Sequence, residues 1–115
     1  MATFTKVKLS GSTNGRGIAV AATATLGTTI HAAHATALDE IWLYANNIHS
    51  SAVVLTVEFG GVTITSDLIQ QSIAATPSGL VLVCAGLLVT GSVSVTAFAG
   101  TASKIEIFGF VNRIA

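Results

Sequence analysis

"SAVVLTVEFGG", residues 51–61, alternates between apolar and mixed positions. Val53, Leu55, Val57 and Phe59 fall on one side of an extended chain, and Ala52, Val54, Thr56 and Glu58 on the other. Period-two alternation in a run of Val, Thr and Phe, closed by Gly60-Gly61, is the signature of a β-strand. The pattern continues in both directions. Upstream, "LDEIWLYANN" (38–47) puts Ile41, Leu43 and Ala45 on one face and Glu40, Trp42 and Tyr44 on the other. The intervening "NNIHS" predicts a hairpin between these two strands. Downstream, "SDLIQQSIAA" alternates at Ile69, Gln71 and Ile73 and is assigned to a strand, with a short helical turn as the alternative. "TPSG" (76–79) is a turn around the only proline.

"LVLVC" reads as a buried strand, "SVSVTAFAG" as another and "SKIEIFGFVNRI" as the last. In that last strand Ile105, Ile107 and Val111 are expected to face the core, with Phe108, Phe110 and Ile114 opposite. A strand apolar on both faces needs cover on both, so a second layer or a neighbouring subunit is implied. Toward the N-terminus, "FTKVKLS" (4–10) separates Phe4, Lys6 and Lys8 from Thr5, Val7 and Leu9. "SGSTNGRG" (10–17) reads as a turn or flexible loop, and "IAVAATA" and "GTTIHAA" as short strands.

These eight or nine strands recur at roughly 8–12-residue spacing, the spacing of a sandwich or barrel. The prediction is an all-β, single-domain antiparallel β-sandwich over residues 1–115, jelly-roll-like, with residues 1–17 as an N-terminal strand and flexible loop. An immunoglobulin-like sandwich is the rival, without its paired cysteines.

Composition narrows the function. Charged residues make up 9% of the chain and hydrophobic residues 51%, where soluble domains carry roughly 25% charged residues. Five basic and five acidic side chains cancel. No basic excess is available for phosphates or anionic lipid, so neither nucleic acid nor a membrane surface is expected as partner. Between Asp67 and Lys104 no side chain is charged. Either this stretch spans a membrane or other subunits cover it. Residues 80–100 have the length of a membrane helix, but Gly86 and Gly91 interrupt them and "SVSVTAFA" alternates as a strand does. Cover by subunits is the reading retained. Cys84, the only cysteine, is expected to be a buried, inert thiol. "MATFTKVKLSGS" has no apolar signal-peptide core, so an intracellular origin is expected.

The one cluster that resembles catalytic chemistry is "IHAAHATALDE" (30–40). On a helix His31 and His34 would share a face and chelate a metal. The flanking residues favour strand, where the two positions point to opposite faces. Both are therefore expected to be incidental surface or loop histidines, as is His49. Asp39, Glu40, Glu58, Asp67 and Glu106 form no glycosidase-like pattern, no G-x-S-x-G elbow occurs, and "GSTNGRG" lacks the Lys-Ser/Thr of a phosphate loop. Glu58 is expected either to face solvent or to pair with a base such as Arg113 or Lys104. No catalytic residue, cofactor or metal is assigned, and the protein is expected not to be an enzyme.

The aromatics mark a candidate surface instead. Trp42 and Tyr44 share a face and serve either as core aromatics beneath the second sheet or as a stacking platform for carbohydrate. Phe108 and Phe110, with Arg113 close by, have the composition of interface hot spots. Trp42, Tyr44, Phe108, Phe110 and Arg113 are the candidate interface residues.

"ATLGTTIH", "LDEIWLYA" and "GFVNRI", with "LTVEFGG", "DLIQQSIAA" and "SGLVLVCAGLLV", resemble small virion structural proteins encoded beside the major capsid protein in tailed bacteriophages. The resemblance runs from about residue 10 to 115 and does not include His34 or the "HAAH" spacing. It implies a β-sandwich that decorates or cements the capsid surface, assembled in the host cytoplasm. Its implied partners are the major capsid protein and copies of itself, as a trimer. It transfers no active-site residue. The alternatives are a tail, neck or spike subunit and a carbohydrate-binding sandwich on the virion surface.

Overall fold

A computed structural model describes residues 2–115. The nine strands are β1 (Phe4–Lys8), β2 (Ile18–Ala19), β3 (Thr28–Ala32), β4 (Leu38–Asn47), β5 (Val53–Phe59), β6 (Leu68–Ile73), β7 (Val81–Val89), β8 (Ser94–Ala99) and β9 (Ile105–Ile114). They form two antiparallel sheets packed face to face, a single-domain β-sandwich. Sheet A runs β1-β9-β4-β7, and sheet B runs β3-β8-β5-β6. β1 pairs with Phe110–Ile114 of β9, and β2 with Glu106 and Ile107 of the same strand. The two short strands thus act as one strand, interrupted where residues 9–17 leave the sheet. Counted so, the order is that of a jelly roll: consecutive strands alternate between sheets except for the β5–β6 hairpin.

Alternation delivers the core. Ile41, Leu43 and Ala45 of β4, Val53, Leu55 and Val57 of β5, and Ile105, Ile107 and Val111 of β9 meet between the sheets. Leu9 follows β1 into the same core, opposite in direction to Lys8. The segment Leu68–Ile73 is a strand, as its alternation predicts. Among the described residues no helix is long and apolar enough to cross a membrane, and β6, β7 and β8 occupy the uncharged stretch.

The structure corrects the sequence reading in several places. β4 and β5 do not form a hairpin: they lie in different sheets, and residues 48–52 cross between them. Fully buried Asn47 holds this crossing. Its amide nitrogen donates to the carbonyls of Ser51, Ile73 and Ala74, and its side-chain oxygen accepts the His49 N–H at 2.8 Å.

"LVLVC" is not a buried strand either. It belongs to β7, at the edge of sheet A, where Leu82, Leu87 and Leu88 are exposed and, after Leu80, the strand buries only Cys84 and Val89. Burial raises the Cys84 thiol pKa above its ordinary value.

His31 is no surface histidine. A β-bulge against β8 shifts the register between Thr29 and His31, so the adjacent Ile30 and His31 both point inward. His34 does lie outside, in the following turn, where its Nδ1 accepts the N–H groups of Thr36 and Ala37.

Glu58 neither faces solvent nor meets a base. It points to the outer side of sheet B, yet is fully buried, because residues 21–27 pass over that side as a strap.

Candidate interaction surface

The outer face of sheet A gathers four of the five candidate residues. Register aligns Lys8, Phe110 and Trp42 in one row across β1, β9 and β4, and Phe108, Tyr44 and Leu82 in the next across β9, β4 and β7. All four aromatics are half-buried and face away from the core, so Trp42 and Tyr44 are not covered by the second sheet. The Trp42 and Phe110 rings stack, with centroids 6.1 Å apart and planes 9° from parallel. From the β1 side the Lys6 ammonium sits 5.0 Å over the Phe110 ring, a cation–π contact.

Glu40 fixes this array. It accepts the Trp42 indole N–H at 2.7 Å and the Asn112 amide at 3.0 Å. These two donors, the indole first, hold the Glu40 carboxyl below its ordinary pKa.

On the β7 side, Gly86 makes room for the indole. It adopts φ +72, and a Cβ there would lie 3.1 Å from the Trp42 ring. Gly86→Ala is expected to destabilise the fold by about 1–2 kcal/mol, the cost of a side chain in the left-handed region. Trp42 is the only tryptophan, so its fluorescence reports the ring directly. A shifted emission maximum together with a lowered melting point is the expected result.

Arg113 does not join the aromatic face. It shares its side of β9 with Ile107 and Val111, and its guanidinium reaches inward. Its Nε donates to Asp39 Oδ1 at 2.7 Å and its terminal nitrogen to Oδ2 at 3.0 Å. Asp39 is fully buried and also accepts His31 Nε2–H at 2.8 Å and the His34 backbone N–H at 3.2 Å. The other ring nitrogen of His31 accepts the Ser10 backbone N–H at 3.0 Å, which fixes the Nε2–H tautomer. Burial opposes ionisation of Asp39, but the Arg113 and His31 hydrogen bonds outweigh it, and its pKa falls to about 2.

This buried network ties β3 in sheet B to β4 and β9 in sheet A. It contains a His–Asp pair, but among the described residues the other imidazole nitrogen meets the Ser10 backbone N–H and no serine hydroxyl. Ser10 Oγ is engaged by the Ala32 N–H at 2.7 Å. The arrangement is suited to holding two sheets together, and it offers no nucleophile.

The chain matches no family model, no curated protein and no solved structure. Geometry and chemistry therefore carry the functional reading. One further feature of the surface was not legible in the sequence. On β7, Leu82 extends the Tyr44 row to the sheet edge and Leu88 lies opposite Glu40, beside the Trp42 row: Leu82 is 45% and Leu88 52% exposed. In the sequence they look like any buried apolar run.

Proposed function

We propose that this protein is a non-enzymatic structural subunit of a bacteriophage virion, which binds the outside of the assembled capsid as a multimer in the manner of a decoration or cement protein. The observation that carries the proposal is the surface continuous from Trp42 and Tyr44 to Leu82 and Leu88. Apart from Glu40, which lies opposite Leu88 and is held by the Trp42 and Asn112 donors, it is apolar and faces solvent in a single copy, and no charge interrupts the chain from residue 68 to 103. Patches of this kind mark protein interfaces. The resemblance of "LDEIWLYA" and "GFVNRI" to capsid-associated proteins supports the virion as the place where that cover is found. A cement protein needs no chemistry: by binding the shell and not its separated parts, it stabilises the shell through mass action.

Association is the first test. The protein is expected to sediment as a trimer at micromolar concentration. Covering a half-exposed leucine gains about 1 kcal/mol, and a lysine there must instead be desolvated. Leu82→Lys with Leu88→Lys is therefore expected to give a monomer with a near-native melting point. A wild-type protein that stays monomeric at these concentrations counts against the proposal. Electron microscopy of virions then separates a capsid location from a tail, neck or spike location.

The carbohydrate platform at Trp42 has less support. The indole is packed between Phe110 and Gly86, which leaves it little free face for a sugar.

A further inference from the structure

The interruption between β1 and β2 creates a second feature, at the edge of sheet A opposite β7. Where residues 9–17 leave the sheet they form one wall of an open groove of about 580 Å³, and Glu106 and Phe108 of β9 form the other. That volume lies in the range of small-ligand sites, roughly 300–1,000 Å³.

The wall is built, not slack. The Gly11 N–H donates to the Ile30 carbonyl at 2.9 Å, and a Cβ on Gly11 would overlap the backbone of β3. Ser12 is buried and its hydroxyl donates to the Arg16 carbonyl at 2.6 Å, while Lys8 Nζ donates to the Ser12 carbonyl at 2.8 Å. Gly17 lies under the Phe108 ring, where a Cβ would sit 2.7 Å from the ring tip.

Into this groove the chain brings a guanidinium, a carboxylate and an aromatic ring. Arg16 and Glu106 both line it but form no ion pair with each other, and the Arg16 guanidinium has no hydrogen-bond partner among the described residues. Glu106 is positioned by Asn46, whose amide donates to it at 2.9 Å. The two oxygens of a carboxylate can accept from two adjacent hydroxyls of a sugar. A guanidinium is the complement of a carboxylate. An aromatic ring supplies an apolar surface for the C–H face of a pyranose.

We infer that this groove binds an acidic saccharide, with its carboxylate on Arg16, adjacent hydroxyls on Glu106 and the sugar ring against Phe108. The groove meets the aromatic surface at Phe108, which lies in one row with Tyr44 and Leu82, while Arg16 and Glu106 lie outside those rows.

The test is saturation-transfer NMR on the full chain with 3′-sialyllactose and with oligogalacturonate, using lactose as the neutral control. At least one acidic probe is expected to bind, with lactose far weaker. Arg16→Gln is expected to weaken that binding by about tenfold or more, the loss of a charge-assisted pair. Glu106→Gln is expected to weaken it less, and Lys104→Gln, which removes a charge elsewhere, to leave it unchanged. Arg16 is exposed, so amide spectra of the variant should show an intact fold. Absence of binding by both acidic probes overturns the inference, as does equal binding of lactose or insensitivity to Arg16→Gln. Free glutamate binding with the same Arg16 dependence would also overturn it, by making the groove an amino-acid site.

Discussion

Replacing Asp39 by alanine is expected to cost about 3–5 kcal/mol, the range found when one partner of a buried ion pair is removed. A domain of this kind has about 5–15 kcal/mol in all, so Asp39→Ala should lose a large part of its unfolding free energy. The reason is what the substitution leaves behind. His31 Nε2–H and the Arg113 guanidinium both lose their acceptor, and the imidazole cannot reach solvent. The effect also has a pH signature. The folded Asp39 pKa is about 2, below the ordinary value of 3.8. A depressed carboxylate pKa contributes stability that is complete above the unfolded value and lost as pH falls through the folded one. For Asp39 the window runs from about pH 4 down to about pH 2, and the contribution is about 2 kcal/mol. Urea titrations at a series of pH values should show this acid loss in the wild type and a flatter profile in Asp39→Ala. Equal midpoints for the two proteins at neutral pH would show that the network does not stabilise the fold.

The network also shows where sequence reasoning succeeds and where it stops. Alternation separates Asp39 from Glu40 correctly, one inward and one outward. It also assigns Arg113, which has the parity of Ile107 and Val111. Its nearness to Phe110 in sequence is the misleading signal, because adjacent strand positions of opposite parity face opposite ways. His31 was not legible, because a bulge breaks the period at Ile30 and nothing in "GTTIHAA" marks it. Pairing was also hidden. Period two identifies β4 and β5 as strands but does not say whether a five-residue loop turns back within one sheet or crosses to the other. The aromatic face presents a third kind of ambiguity. Both stripes of β9 are apolar, so alternation groups Phe108 with Phe110 without saying which stripe meets the core. The register with β4 decides it, because Ile41 and Leu43 are buried beside Val111 and Gly109.

Glu58 gives the sharpest contrast between removing an acceptor and removing a charge. Its Oε1 accepts the Gly27 N–H at 2.7 Å and the Thr96 hydroxyl at 2.6 Å, and its Oε2 accepts the Thr25 hydroxyl at 2.7 Å. All three donors are neutral. Burial opposes ionisation, but the Thr96, Thr25 and Gly27 hydrogen bonds outweigh it and hold the carboxyl below its ordinary pKa. Glu58→Ala should therefore cost about 3 kcal/mol, because the Gly27 N–H is fixed by the backbone and cannot find another acceptor. Glu58→Gln should cost no more than about 1 kcal/mol, because its amide oxygen can serve Gly27 and Thr96 while its nitrogen donates to a reoriented Thr25 hydroxyl. The loss should be local as well as global. In Glu58→Ala, amide exchange should accelerate in residues 23–27, since the carboxylate holds Thr25 and Gly27 to sheet B while the Ala99 N–H separately holds the Ala22 carbonyl. Acid separates the variants further. A lowered folded pKa means that the Glu58 contribution is present above the unfolded value and disappears as pH falls below it. Wild type should lose this increment in acid, and Glu58→Gln, which does not titrate, should not. If the glutamine and alanine variants prove equally unstable, the strap depends on the negative charge and not on the acceptors, and the hydrogen-bond account of this buried carboxylate is wrong.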